Sequence, residues 1–258
     1  MRTYEDQGEY TDGILEEPGA WQGAIDIRRL EQLPASGPGT SEPVDFWFPF
    51  MVPSYNQTGP SCVGHAWANW IEAFVRFHIN PLGIPKGKQI DGEAIWKRGR
   101  ELFWGGKMNG GLYLSQGFHA AKDLGFLPPD SKLVAVGQDW DSVNAALQTA
   151  PLVQGHVINK GWFRASTQSG CIDHEARPDR SGAHATLLMA TLEQPDTAGN
   201  LIRWRVCLNS WGPDRGRFGF FTMAEETWAE QVMEDGPYTA EIPEPWNWTG
   251  YKKGLVEK

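Results

Sequence analysis

Cysteine is scarce in this chain: three residues in 258, at Cys62, Cys171 and Cys207. An odd, small number spread over a long sequence is a poor disulfide framework, and the lack of any CxxC pair removes the usual signature of a structural zinc site. A basic excess is missing too. The 23 Lys and Arg are outnumbered by 32 Asp and Glu, giving a net charge of −9, the opposite of the footprint that a nucleic-acid binder carries. No apolar run approaches the roughly 18 residues that a membrane-spanning helix needs. The opening stretch MRTYEDQGEYTDGILEEPGA is acidic, with no positive region leading into an apolar one, so no secretory signal is expected. These absences point to a cytoplasmic or other reducing compartment, with no nucleic-acid or membrane partner.

What is present is a large apolar and aromatic fraction. Hydrophobic residues make up 40% of the chain, including 13 tryptophans, alongside 30 glycines, enough for a sizeable core in a loop-rich globular fold. Residues 1–45 are rich in Gly, Pro and acids and read as an extended arm, with weak helical propensity only at Ala24 to Gln32. From Cys62 the apolar residues Val63, Ala66, Trp67, Trp70, Ile71, Phe74 and Phe77 fall at helical spacing. GEAIWKRGRELFWG (92–105) and YLSQGFHAAKDLG (113–125) read as two further helices, the latter closed by Gly125. Beyond Pro128 the pattern changes: after a short helix in WDSVNAALQTA come strands in PLVQGHVI, HATLLMATLEQ, LIRWRVCLNSW and GRFGFFTM, then a short helix in AEETWAEQV. PDTAGN joins the two long strands as a hairpin turn. A helical half followed by a β half predicts an α+β protein of two lobes with a cleft between them.

Three segments carry chemistry. QTGPSCVGHAW sets Cys62 directly after a tight turn, at the start of a helix and downstream of Gln57. SGAHATLLMA sets His184 between small residues at the start of a strand. LNSWGPDRGRFGFF sets Asn209 at the end of the next strand, followed by Ser-Trp-Gly. A thiol is nucleophilic only as thiolate, and the partial positive charge of a helix N-terminus together with an imidazolium lowers its pKa.

The order Cys, His, Asn, with the asparagine inside Asn209-Ser210-Trp211-Gly212, resembles the papain-like cysteine peptidases over roughly residues 47–235. That resemblance implies an α+β fold of a helical lobe (46–130) and an antiparallel β-barrel-like lobe (131–245), preceded by the arm (1–45) and followed by a tail (246–258). It implies an endopeptidase acting on peptide or protein without a cofactor. Cys62 would be the nucleophile, His184 the base and acid, Asn209 the residue that orients His184, and Trp211 the cover of that bond. Gln57 and the Cys62 backbone N–H would form the oxyanion hole. By the same resemblance Gly110 and Gly111 line the substrate cleft, and Gly155 and Ala183 the pocket for the substrate's second side chain. The C-terminal strand region is also similar to the bleomycin-hydrolase branch of the superfamily.

This chain departs from the family in several places. Only four residues separate Gln57 from Cys62 where the family usually has five, so that Asn56 stands as the substitute for Gln57. Val63 replaces the usual tryptophan, and Gly59 and Pro60 stand where the family's first disulfide would begin. Two other functions keep the same residues: an amidase or acyl transferase using the triad, and an inactive homologue that only binds peptide. Elsewhere, Cys207 reads as a small core residue and His65 as structural, while His119 and His156 receive no role. Cys171, Asp173, His174 and Glu175 read as a solvated loop in preference to a metal site. Trp246 and Trp248 read as packing the tail onto the body.

Overall fold

The computed structural model describes residues 55–79, 84–85, 88–165, 170–172, 182–196, 198–245 and 248–257, together with the backbone of 25–26. The arm (1–45) therefore lies almost wholly outside the described residues, as do Asp173, His174, Glu175 and Trp246. The one described piece of the arm is extended: Ile25–Asp26 form strand β1, not the helix that propensity suggested for 24–32. A parallel pairing with Val134 and Ala135 overrides the local preference there.

Helix α1 (Cys62–Phe74) is buried on every face and continues as a π-helical turn over Val75–Ile79. A helix enclosed on all sides is apolar all round, which is why its tryptophans spread beyond one stripe. Their indole N–H groups are satisfied through the core: Trp67 donates to Leu114 O at 2.8 Å and Trp70 to Pro151 O at 2.8 Å. Helix α2 (Gly92–Trp104) starts at the Asp91 N-cap, whose carboxylate accepts from Ala94 N, and ends at Gly105 in the left-handed conformation. Between α1 and α2 two glycines touch. A Cβ on Gly64 would lie 2.1 Å from Gly92 O, and one on Gly92 would lie 2.4 Å from His65 Nδ1. No other residue type lets the two helices approach this closely. Helix α3 (Leu114–Asp123) completes the helical half.

The β half is a seven-stranded sheet in the order β1-β3-β8-β4-β5-β6-β7. Its strands are β1, β3 (Lys132–Ala135), β4 (Leu152–Ile158), β5 (Gly182–Pro195), β6 (Leu201–Leu208), β7 (Phe220–Ala224) and β8 (Tyr238–Glu241). Apart from β1, neighbours are antiparallel. Among the described residues the sheet is open, with β1 and β7 at its two ends. The barrel-like expectation therefore gives way to an open sheet, coiled around no closed interior. Three short helices punctuate it: α4 (Trp140–Leu147), α5 (Lys160–Arg164) and α6 (Glu225–Gln231). The tail packs on the helical half, where β9 (Leu255–Glu257) pairs with β2 (Lys88–Ile90) and Trp248 meets the Tyr251 ring edge-on.

Candidate active site

Cys62 is the first residue of α1. Its N-cap, Ser61, has φ −101° and makes no side-chain cap, leaving the first amides of the helix directed at the thiol. The thiol is fully buried and accepts from the backbone N–H of Ala185, the residue after His184. Burial pushes its pKa up to about 12, against the pull of the amides of Ala185, Val63 and Cys62 itself. The helix start together with an imidazolium was expected to lower it. Here the loss of hydration outweighs the half-charge of the helix end.

His184 lies on β5, fully buried, and its Nε2 is 2.6 Å from Asn209 Oδ1. The tautomer follows from the neighbours. Asn209 Oδ1 also accepts from Ser210 N at 2.6 Å, so that atom is an oxygen acceptor and His184 Nε2 carries the hydrogen. Nδ1 then holds the lone pair, and it has no hydrogen-bond partner. Burial lowers the imidazole to about 4, although the Asn209 bond pulls the other way. At neutral pH both the thiol and the imidazole are therefore uncharged here. The Trp211 ring lies over His184 with centroids 4.5 Å apart and stacks on Phe163 at 5.2 Å.

Gln57 joins the same surface. Its backbone N–H donates to Ser210 O at 2.8 Å, and its side-chain Oε1 accepts from Ser210 Oγ at 2.5 Å. Its Nε2 donates to Gly59 O at 2.8 Å, within the turn itself. Asn56 bridges Trp211 through the backbone and is exposed. Gly212, at φ 89°, turns the chain back so that its N–H donates to Tyr55 O at 2.6 Å. Residues 55–57 and 209–212 thus run together, bringing Gln57, Asn209 and Trp211 to one place.

The remaining sites sort differently. Trp96 Nε1 donates to Gly110 O at 3.0 Å and Arg100 Nη1 to Gly111 O at 2.8 Å, so α2 anchors both glycine carbonyls from behind. Gly155 pairs with Ala185, and Ala183 with Val157. Strand alternation puts Gly155 and Ala183 on one face of the sheet, the face opposite to His184. Cys207 is buried and its thiol contacts Gln154 Nε2 at 3.0 Å. None of the three cysteines is in a disulfide, and no metal-binding cluster is found among the described residues. Cys171 is backbone-bridged to Thr222, which ties that segment to β7.

Spacing in the sequence did not reveal three neighbours of this site. His156 stands directly opposite His184 on β4, fully buried. Ser210 was read only as part of a motif, yet it clamps Gln57. Glu93, at the start of α2, reaches the turn before Cys62 and accepts from Ser61 Oγ at 2.5 Å. No local signal marks a contact made between residues 32 positions apart.

This arrangement, a helical half whose first long helix opens at Cys62, followed by an antiparallel sheet that carries His184, is the papain-like fold. The chain superimposes on xylellain, a cysteine protease from Xylella fastidiosa, with TM-score 0.66 and 19% identity, covering 92% of this chain and 98% of that one. It also matches digestive procathepsin L2 proteinase from Tenebrio molitor larval midgut, with TM-score 0.65 and 16% identity over 93% of this chain and 80% of that one. Procathepsin B from Trypanosoma congolense gives TM-score 0.64 and 14% identity over 94% and 89%. In sequence, a bleomycin hydrolase from Rattus norvegicus is 38% identical over 61 residues, which is 24% of this chain but only 13% of that protein. No protein-family model matches the chain. No described helix is long and apolar enough to cross a membrane.

Proposed function

We propose that this chain is a cysteine peptidase that cleaves peptide bonds through an acyl-enzyme thioester, with Cys62, His184 and Asn209 as its triad. The observation that carries the reading is the Asn209–His184 bond, with the Cys62 thiol meeting the amide of Ala185, the residue after His184. His184 Nδ1, with its lone pair uncommitted, takes the thiol proton. The thiolate attacks the scissile carbonyl, and the tetrahedral oxyanion is met by the Cys62 N–H and the second amide hydrogen of Gln57. His184 returns the proton to the leaving amine, and water hydrolyses the thioester to regenerate Cys62. Asn209 accepts from Nε2–H throughout, holding the base lone pair on Nδ1.

The neutral, buried pair is the resting state in this account. Contact with water favours the charged pair. Residues 46–130 and 131–245 act as the two lobes, and Gly110 and Gly111 line the substrate path, with Gly155 and Ala183 meeting it from the sheet face opposite to His184. Three cysteines outside disulfides favour a reducing compartment. The test is hydrolysis of denatured casein. Wild-type protein releases peptides and Cys62→Ser does not. Equal activity in Cys62→Ser would exclude the reading, and amine incorporation in place of hydrolysis would identify an acyl transferase.

A further inference from the structure

Glu93 has no role in the triad, but its Oε1 meets four polar groups at the turn before Cys62. Its Oε1 accepts from Ser61 Oγ at 2.5 Å and lies 3.2 Å from His65 Nε2. The backbone N–H and the hydroxyl of Thr58 lie at 3.5 and 3.4 Å from the same oxygen. These donors come from both ends of the turn that begins after Gln57 and ends at Cys62, and from the first turn of α1. Glu93 arrives there because Gly64 and Gly92 allow α2 to touch α1. Partial burial would raise its carboxyl. The bonds from His65 and Ser61 nevertheless hold it down at about 2, so it is an anion at neutral pH.

Ser210 clamps Gln57 at the start of the turn, but the residues between Gln57 and Cys62 have few braces of their own. Gly59 and Pro60 occupy the turn, a Cβ on Gly59 would meet nothing within 4 Å, and no disulfide ties it to the body. Its internal bond, Gln57 Nε2 to Gly59 O, fixes one amide hydrogen of Gln57 but not the position of the turn relative to α1.

We propose that Glu93 is the positioning residue of this turn, holding Gln57 and the Cys62 N–H at the separation that lets both meet one oxyanion. The proposal rests on the peptidase reading above. Glu93 acts through Ser61, Thr58 and His65, not on the substrate. A carboxylate beside a helix N-terminus also opposes thiolate formation electrostatically, so its retention there is explained by geometry and not by activation of the thiol. Loss of Glu93 therefore separates two quantities that a general folding defect would lower together.

The experiment compares wild type, Glu93→Ala and Glu93→Gln in casein hydrolysis and in alkylation of Cys62 by iodoacetamide, a displacement that forms no oxyanion. Glu93→Ala lowers kcat by about tenfold, part of the roughly hundredfold or more that is lost with an oxyanion donor itself, with KM little changed. Glu93→Gln recovers part of that loss, because its amide oxygen still accepts from Ser61. Both variants keep the alkylation rate or raise it. Wild-type kcat in Glu93→Ala would overturn the proposal, as would a parallel fall of hydrolysis and alkylation. If the wild type itself neither hydrolyses casein nor alkylates selectively at Cys62, the peptidase reading fails first and the positioning role falls with it.

Discussion

His156 and His184 face each other across the β4–β5 ladder, both cut off from solvent, and neither ring nitrogen of His156 has a hydrogen-bond partner. Two imidazoles held side by side without water cannot both be charged. Burial lowers His156 to about 3, with the charge of His184 adding to the shift, and lowers His184 to about 4.

The consequence is acid lability with a definite window. The unfolded chain takes up protons on these histidines near their ordinary 6.5, while the native state resists down to about 4 and 3. Stability is thus complete above pH 6.5 and declines as pH falls, by about 1.4 kcal/mol per pH unit for each histidine. On the alkaline side Cys62 and Cys207, both raised to about 12 from 9.0, stay protonated when folded. Stability therefore falls again above pH 9, and urea melts across pH 4–10 should give a plateau between the two limbs.

His156→Leu removes one acid-side proton and a buried ring with no hydrogen-bond partner, packed on Trp162. It should stabilise the protein at pH 5 by about 2 kcal/mol more than at pH 8, from the proton uptake no longer available to the unfolded chain. Parallel urea curves of the two proteins at both pH values check this.

Gln57 and Asn56 compete for the oxyanion position. Gln57 is buried and bonded to Ser210 and Gly59, whereas Asn56 is exposed. Gln57→Ala should lower kcat by roughly a hundredfold or more, as removal of an oxyanion donor does, while Asn56→Ala leaves it within about threefold. Steady-state peptide hydrolysis distinguishes them.

Gly64→Ala is expected to destabilise strongly. Its Cβ would lie 2.1 Å from Gly92 O, a backbone atom that cannot step aside without moving α2. Overpacking of this kind costs about 1–3 kcal/mol or more, and a thermal melt should show it. Ala substituted at Gly59, whose Cβ would meet nothing within 4 Å, is the control.

Much of the fold was legible because local chemistry and periodicity agreed. Helices α1, α2 and α3 announced themselves by apolar spacing and by Gly105 and Gly125, both found at positive φ. The β5–β6 hairpin followed from two long β-branched and aromatic runs flanking PDTAGN. Strands β1, β2, β3, β8 and β9, of two to four residues each, carry too little pattern to be read, and they exist through their partners. The segments around Cys62, His184 and Asn209 stood out because each is a compact motif. Glu93 and His156 were not, since their meaning lies in what the fold lays against them. The thiol's environment was misread for a related reason: a helix start is visible in sequence, but complete burial is not.

The most direct test is reaction of the purified protein at pH 6 with a limiting amount of an epoxysuccinyl peptide, followed by peptide mapping. The account predicts added mass on Cys62 alone, absent in His184→Ala, with Cys171 and Cys207 unmodified. Equal labelling of all three cysteines, or labelling of Cys62 that survives His184→Ala, would contradict it.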